Sequence, residues 1–433
     1  MKTIKYLPIA FLLFGITFSY AQERKKMSLK EAIELVITNS NQAVLAKNKV
    51  ETSKLELETM KNNQYPSAKI SGQYMRLTNA NVDSNLGGSG LEVSQLMIGQ
   101  ANVSMPIFSG FKLKNSIAAS ESLYKAQTFS ASHTKEELAQ EVVELFATLY
   151  KSQEMVKLFQ ENLKSAQQRT KDFTAMVDNG LMARNDLLKA QLQESNIQLM
   201  LDNSIKNVSV VNYELVTLLH LSENTIIDID IDTVKNDMAK SQLTTANGQR
   251  NDLEALTLQE KASEAGIKIA KSGYFPSLSL SGGYIAFDLE NAISVTNAMN
   301  FGVGVSYDIA SIFKNAKEVK LAKSKAEQTK TAIAILNDKI KEETHLAQEN
   351  YNLSLKQNKV YTLAVEQSDE NFRIVKDKYD NSLSTTNDLL EADVQQLQSK
   401  INLALSQADI ALKYYQLQFA AGKLINSFNL STK

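Results

Sequence analysis

The chain has 433 residues, with 47 Lys and Arg against 48 Asp and Glu, no cysteine, no tryptophan and four prolines. Near-zero net charge leaves no basic excess to neutralise a phosphate backbone, which argues against nucleic acid as a main partner. Absent cysteine excludes disulfides, thiolate metal sites, a cysteine nucleophile and a lipid-modified N-terminal Cys, while scarce helix breakers permit long helices.

Lys2 and Lys5 precede a continuous apolar run from Leu7 to Phe18, and Ser19-Tyr20-Ala21 offers small residues on either side of a tyrosine before Gln22. This layout predicts a cleaved secretory signal peptide over 1–21. The run is too short for a membrane anchor, which needs roughly 20 residues. No later segment approaches a transmembrane helix, so an exported chain of this kind is periplasmic, secreted, or a β-barrel of the outer membrane.

A first helix is expected from Ser28 to Gln64, with Ser28 and Glu31 at capping-box spacing. Strands follow, alternating with period two. Ala68, Ile70, Gly72 and Tyr74 share one face, then Met97, Gly99, Ala101, Val103, Met105 and Ile107. Each apolar run is about 10–13 residues, which suits a tilted membrane strand. Aromatic residues gather at one end (Tyr65, Phe108, Phe111) as an interfacial girdle requires. The stretch Asp83 to Ser94, with Gly87 to Gly90, reads as a surface loop; no helix-opening Lys-Ser/Thr follows it to make a phosphate cradle.

From Lys112 the pattern becomes helical for about 65 residues, a length of roughly 100 Å at 1.5 Å per residue. Val142, Leu145, Leu149, Ser152, Val156, Phe159, Leu163, Ala166, Thr170, Phe173 and Val177 step by three and four, the spacing of a coiled-coil seam. A turn and a returning helix follow. Asp228, Asp230 and Asp232 alternate with Ile and lack the glycine and glutamate of a calcium loop, so they read as an exposed strand edge.

The whole arrangement then recurs. Asp178-Asn179-Gly180-Leu181 with Asn185-Asp186-Leu187-Leu188 returns as Asp380-Asn381-Ser382-Leu383 with Asn387-Asp388-Leu389-Leu390, each residue 202 positions later. Tyr65-Pro66-Ser67 matches Phe275-Pro276-Ser277, and Ala126-Gln127-Thr128 echoes Glu327-Gln328-Thr329, in the same order. Such ordered self-similarity is a duplication. The second copy has a helix from Asp252 to Gly273, strand faces on Leu278, Leu280, Gly282 and Tyr284 and on Phe301 to Ile309, a tip over Asn291 to Asn297, and its own girdle of Tyr274, Phe275 and Phe313. Its seams run from Ala347 to Tyr379 and through Leu390, Val394, Leu397, Ile401, Ala404, Ala408, Ala411 and Tyr415. Ser, Asn and Thr interrupt these seams, as in loose packing or in a helix whose second face lines water. The expected division is 1–21 signal peptide, 22–220 first repeat, 221–250 equatorial linker, 251–425 second repeat and 426–433 tail.

Four strands cannot close a barrel, since the smallest outer-membrane barrels have about eight and lipid tolerates no open edge. The fold class expected is therefore mainly α with a membrane β-barrel portion: three copies sharing twelve strands in one barrel over an α-helical tunnel. No catalytic constellation competes with this. His133, His220 and His345 are scattered, and His133 with Glu137 reads as a solvated helical pair rather than a metal site. A periplasmic adaptor and a structural coiled-coil protein are the rival readings. The first needs a lipoyl-like β-domain and usually one hairpin; the second needs neither signal peptide nor strand pairs.

The ordered set resembles the TolC family of outer-membrane factors from Ser28 to about Ile425. The residues that carry it are the first-helix stretch from Ser28, Arg250-Asn251-Asp252-Leu253 opening the second repeat, the strand starts at Pro66 and Pro276, and the helical turn in both halves. Departures are the missing proline at Ser40-Asn41-Gln42, Ser382 where glycine is typical, and Ser384 where a charged residue is typical. The resemblance implies a homotrimer in outer-membrane lipid, without cofactor or metal. It implies an exit duct of a tripartite efflux or type I secretion system, fed by an inner-membrane RND or ABC transporter through a periplasmic adaptor. On that footing Gly180, Leu181, Ser382 and Leu383 are expected to contact the adaptor. Asp186, Tyr379, Asp388 and Glu391 are expected to ring a periplasmic aperture, with Arg184 or Lys378 as partners for the acids.

Overall fold

The computed structural model describes residues 23–84, 88–229, 231, 233–234, 238, 250–290 and 292–430. The expected signal peptide over 1–21 lies outside the described residues. The elements are β1 (Glu23–Met27), α1 (Leu29–Asn39), α2 (Asn41–Asn62), β2 (Ser67–Ser84), β3 (Gly88–Ser109), α3 (Lys112–Asp178), α4 (Arg184–Leu218), β4 (Thr225–Ile229), α5 (Asn251–Ser272), β5 (Ser277–Leu289), β6 (Ile293–Ser306), α6 (Ser311–Asp380), α7 (Thr386–Ala420) and α8 (Leu424–Ser427). They form two compact units, one of residues 1–40, 141–241 and 354–412, the other of 41–140, 242–353 and 413–433.

The second unit holds a four-stranded antiparallel sheet in the order β2-β3-β5-β6. The two hairpins of the duplication therefore pair side by side through β3 and β5, leaving β2 and β6 as edges. Pro66 and Pro276 set the strand starts: each follows a helix end that it cannot continue, and each holds the preceding residue extended. The register brings the expected faces together, with Ala68 opposite Val103, Ile70 opposite Ala101, Val103 opposite Gly282 and Gly282 opposite Phe301. That face is apolar and open, Ile70 being 87 %, Phe301 93 % and Val303 65 % exposed. Water does not tolerate so continuous an apolar band on a soluble sheet; hydrocarbon requires it. The exposed aromatics Tyr65, Phe111, Phe275 and Phe313 flank the helix-connected end, and Phe111 lies edge-on between Phe108 and Phe275 at centroid separations of 5.2 and 6.3 Å. Gly110 makes that strand-to-helix corner possible. Its φ is +60°, and a β-carbon there would stand 2.5 Å from the Ser272 carbonyl.

Sequence reading erred on the hairpin tips. Gly88 to Ser94 belongs to β3, with Ser84 opposite Gly88, so paired strands take up most of the stretch from Asp83 to Ser94; residues 85–87 are outside the described residues. Ile293 to Asn297 likewise belongs to β6. Small and polar residues signalled a loop, yet strand pairing rests on backbone hydrogen bonds and tolerates them. The helix expected from Ser28 to Gln64 is two helices, broken at Ser40, whose ψ of 147° is extended and whose backbone N–H returns to the Val36 carbonyl.

The C-terminal segment closes the core of the same unit. Tyr415 stacks on Phe428 at 4.9 Å, Tyr414 meets Tyr415 edge-on, and Leu424 and Ile425 are fully buried. Arg250 ties this region together: its guanidinium grips Asp252 through two nitrogens at 3.1 and 2.7 Å and reaches Glu343 at 2.6 Å. Burial alone would raise the Asp252 pKa, but the hydrogen bonds and charge of Arg250 outweigh it and hold the carboxyl below the usual range.

In the first unit Phe159, Leu163 and Ala166 of α3 pack with Ile197 and Leu201 of α4 and Ile401 of α7. Burying each large side chain contributes about 1.5–3 kcal/mol. The α3 seam holds as expected. On α7 the expected seam is out of phase at its start: Leu389 and Asp393 are buried, while Val394 is 54 % exposed. Hydrophobicity favoured Val394, but the buried polar partners of Asp393 decide the phase. Beside this core β1 and β4 form a parallel pair that the sequence reading did not include. Asp228 is exposed on β4 as expected, and Asp230 and Asp232 lie outside the described residues.

Candidate functional site

The two helical turns close in the same way. After α3, Gly180 has φ +72°, its N–H reaches the Val177 carbonyl at 3.0 Å, and Leu181 N–H reaches Met176 at 2.8 Å. After α6, Ser382 has φ +62°, its N–H reaches the Tyr379 carbonyl at 2.9 Å, and Leu383 N–H reaches Lys378 at 2.7 Å. This paired bonding satisfies the last carbonyls of a helix through one left-handed residue. It leaves both leucines outside the turn, Leu181 at 74 % and Leu383 at 77 % exposure. A leucine that merely stapled its turn would be covered.

The acids beyond the turns have different surroundings. Asp388 closes a capping box: its carboxylate accepts from Thr385 N–H at 2.9 Å, Thr385 Oγ1 at 2.8 Å and Ser384 Oγ at 3.0 Å, while Asp388 N–H donates back to Thr385 Oγ1 at 3.2 Å. The Thr385 backbone and hydroxyl bonds, with that of Ser384, hold the Asp388 carboxyl below the usual carboxylate range. Asp186 has a looser setting, 3.4 Å from Lys189, and Ala183, at the N-cap of α4, supplies no side-chain cap. Glu391 is exposed on α7. Tyr379 is half-buried, its ring 6.1 Å from Phe173 in a cluster with Ala190, Leu389, Phe372 and Val375. Among the described residues of one chain, no ion pair joins Arg184 or Lys378 to these acids.

Sequence reasoning missed the polar centre next to this cluster. Asp393 is 3 % exposed and accepts from Arg169 at 2.9 Å and from Gln193 at 2.8 Å, so α3, α4 and α7 meet on one carboxylate. It borders a cavity of about 710 Å³ lined also by Phe173, Tyr379, Lys376 and Lys400. The signal available was an aspartate adjacent to a seam position, which alone does not distinguish a core acid from a surface one.

Comparison with known proteins gives a consistent answer. The family model described as outer membrane efflux protein matches residues 32–203 and 243–423. No curated protein matches the chain. Among solved structures it is similar to the CmeC outer membrane channel of Campylobacter jejuni, at 18 % identity and a TM-score of 0.78 over 92 % of this chain and 86 % of that one. It is similar to the outer membrane protein VceC of Vibrio cholerae, at 14 % identity and a TM-score of 0.76 over 91 % and 96 %. The open state of the MtrE outer membrane channel of Neisseria gonorrhoeae matches at 17 % identity and 0.72 over 91 % and 88 %. At these identities the likeness is one of fold.

Proposed function

The chain belongs to the outer membrane efflux protein family, and from that premise we propose that it is the outer-membrane exit duct of a tripartite efflux or type I secretion system. In this reading an inner-membrane RND or ABC transporter hands cargo through a periplasmic adaptor to a homotrimer of this chain. The observation that carries it is the four-stranded sheet with one open apolar face and two unpaired edges. Such a sheet is viable in lipid only when copies close it, and three copies bring twelve strands. The reading has no catalytic step, cofactor or metal.

The helical turns are the adaptor contacts of this proposal. Leu181 and Leu383 are apolar, exposed and held by rigid turns, which lowers the ordering cost of docking a helical partner. Charge substitution at both, Leu181→Glu with Leu383→Glu, is expected to abolish export while trimer yield stays normal. Export at the wild-type rate would reject the contact.

The aperture is a second element of the proposal. Threefold symmetry turns Asp186, Asp388 and Glu391 each into a ring of like charges. At about 7 Å and an effective dielectric near 20, each pair repels by roughly 2 kcal/mol. The capping box already occupies Asp388, so Glu391 and Asp186 are the freer cation-collecting groups, with Arg184 or Lys378 of neighbouring copies as closing partners. Asp388→Ala with Glu391→Ala is expected to lose cation selectivity in planar bilayers, and Tyr379→Phe to raise conductance. Unchanged selectivity would leave the acids as helix caps.

A further inference from the structure

The two faces of the sheet exchange character towards its hairpin end. Near the helices the exposed apolar face carries Ile70, Phe301 and Val303, and the opposite face carries Lys69, Asn102 and Asn300. Further along that same polar face, paired rows read Gln73, Ile98, Phe287 and Val295, and then Met75, Leu96, Leu289 and Ile293. The outer face at these levels carries Tyr74, Met97, Asp288 and Ser294, polar only on β5 and β6, and then Arg76 and Gln95. Pairing of β3 with β5 is unbroken from Pro106 to Leu96, so side-chain alternation stays in phase and the inversion belongs to the sequence.

Two observations indicate that the inversion is built. The first is a bulge on β6. Ile285 pairs with Ala298 but Phe287 pairs with Val295, so one extra residue enters the strand. Without it Thr296 and Ser294 would occupy the positions that Val295 and Ile293 now take. The bulge is pinned at Asn297, with φ +61°, whose backbone N–H donates to Tyr284 Oη at 3.1 Å. Bulges re-aim side chains in this way. The second is exposure: Ile98, Leu96, Phe287, Leu289 and Val295 are half-buried in one chain, Gln73 and Ile293 at the edge strands are exposed, and so are Arg76, Asp288 and Ser294. The apolar outer band of β3 from Met97 to Met105 already supplies the roughly 9–11 residues that a tilted strand needs to cross hydrocarbon. Leu96 and Leu289 therefore lie just past that band, and Ile98 and Phe287 at its edge.

We propose that in the closed barrel these two rows form an apolar collar around the lumen at the level where β5 and β6 turn, a specificity determinant that slows hydrated ions and favours apolar or amphiphilic solutes. This rests on the duct reading above. An apolar ring offers hydrated ions no compensating polar contact and so raises their barrier without a charged filter, whereas an amphiphile gains contact with the same side chains. On the helix side of the collar the same face carries Lys69, Ser71, Gln100, Asn102 and Asn300, so the collar marks a change from polar to apolar along the lumen.

The absence of cysteine makes the test direct. On the purified trimer in planar bilayers, Phe287→Ser with Leu289→Ser is expected to raise single-channel conductance several-fold, and Asp288→Ser to leave it unchanged. On intact cells, an impermeant maleimide is expected to label Asp288→Cys at least tenfold faster than Phe287→Cys. Equal labelling rates, or unchanged conductance in the double variant, would overturn the collar while leaving the duct intact. Failure of the wild-type trimer to conduct at all would instead contradict the duct.

Discussion

Ser382 holds a left-handed backbone conformation, φ +62°, with a β-carbon in place. That conformation costs a non-glycine residue roughly 1–2 kcal/mol. Its counterpart Gly180, at φ +72°, carries no such cost. Ser382→Gly is therefore expected to stabilise the second turn by about 1 kcal/mol, and Gly180→Ala to destabilise the first by a similar amount, read by hydrogen exchange at the two turns. Glu136 offers a second test. It is buried in α3, with Ile425 N–H donating to its Oε2 at 3.2 Å. Burial, opposed by the Ile425 and Leu424 backbone bonds, pushes its pKa up to about 7. A carboxyl with a raised folded-state pKa favours the fold most when protonated. Its contribution is complete below the unfolded value near 4.5 and is lost as pH rises through about 7. Wild type is expected to lose up to about 3 kcal/mol relative to Glu136→Gln across that window, measured by denaturant unfolding at several pH values; parallel pH profiles would contradict this.

At the scale of elements, periodicity located the seams wherever burial was apolar. It found Phe159, Leu163, Ala166 and Phe173 on α3, all buried. It slipped on α7 because Asp393, the residue that is buried, is charged, and its partners Arg169 and Gln193 come from helices distant in sequence. Long-range polar pairing leaves no local trace. The same limit hid the parallel pairing of β1 with β4 and the amide of Asn212, which donates to the Thr225 carbonyl and accepts from Ile227 N–H along that strand. Removing one member of a buried ion pair typically costs 3–5 kcal/mol. Arg169 and Asp393 side chains are 12 % and 4 % exposed, so Asp393→Ala is expected to fall in that range and to lower trimer yield. Arg169→Met combined with Asp393→Leu is expected to recover most of the loss. A single variant as stable as wild type would show that the pair contributes nothing.

For the whole molecule, the duplication was legible because it preserves order: prolines at strand starts, alternating strands, long seams and turn signatures recur together. The strand order β2-β3-β5-β6 follows from it, since each repeat supplies one hairpin. The turn residues could be named from the same repeat, but their chemistry could not, because a capping aspartate and an aperture aspartate have the same letter and the same spacing. What one chain lacks is closure, and the central claim is that two further copies supply it. Native mass spectrometry of the protein extracted from outer membranes in mild detergent tests this most directly. The account predicts a single dominant species of three chains that persists on dilution; a stable monomer or dimer would contradict it.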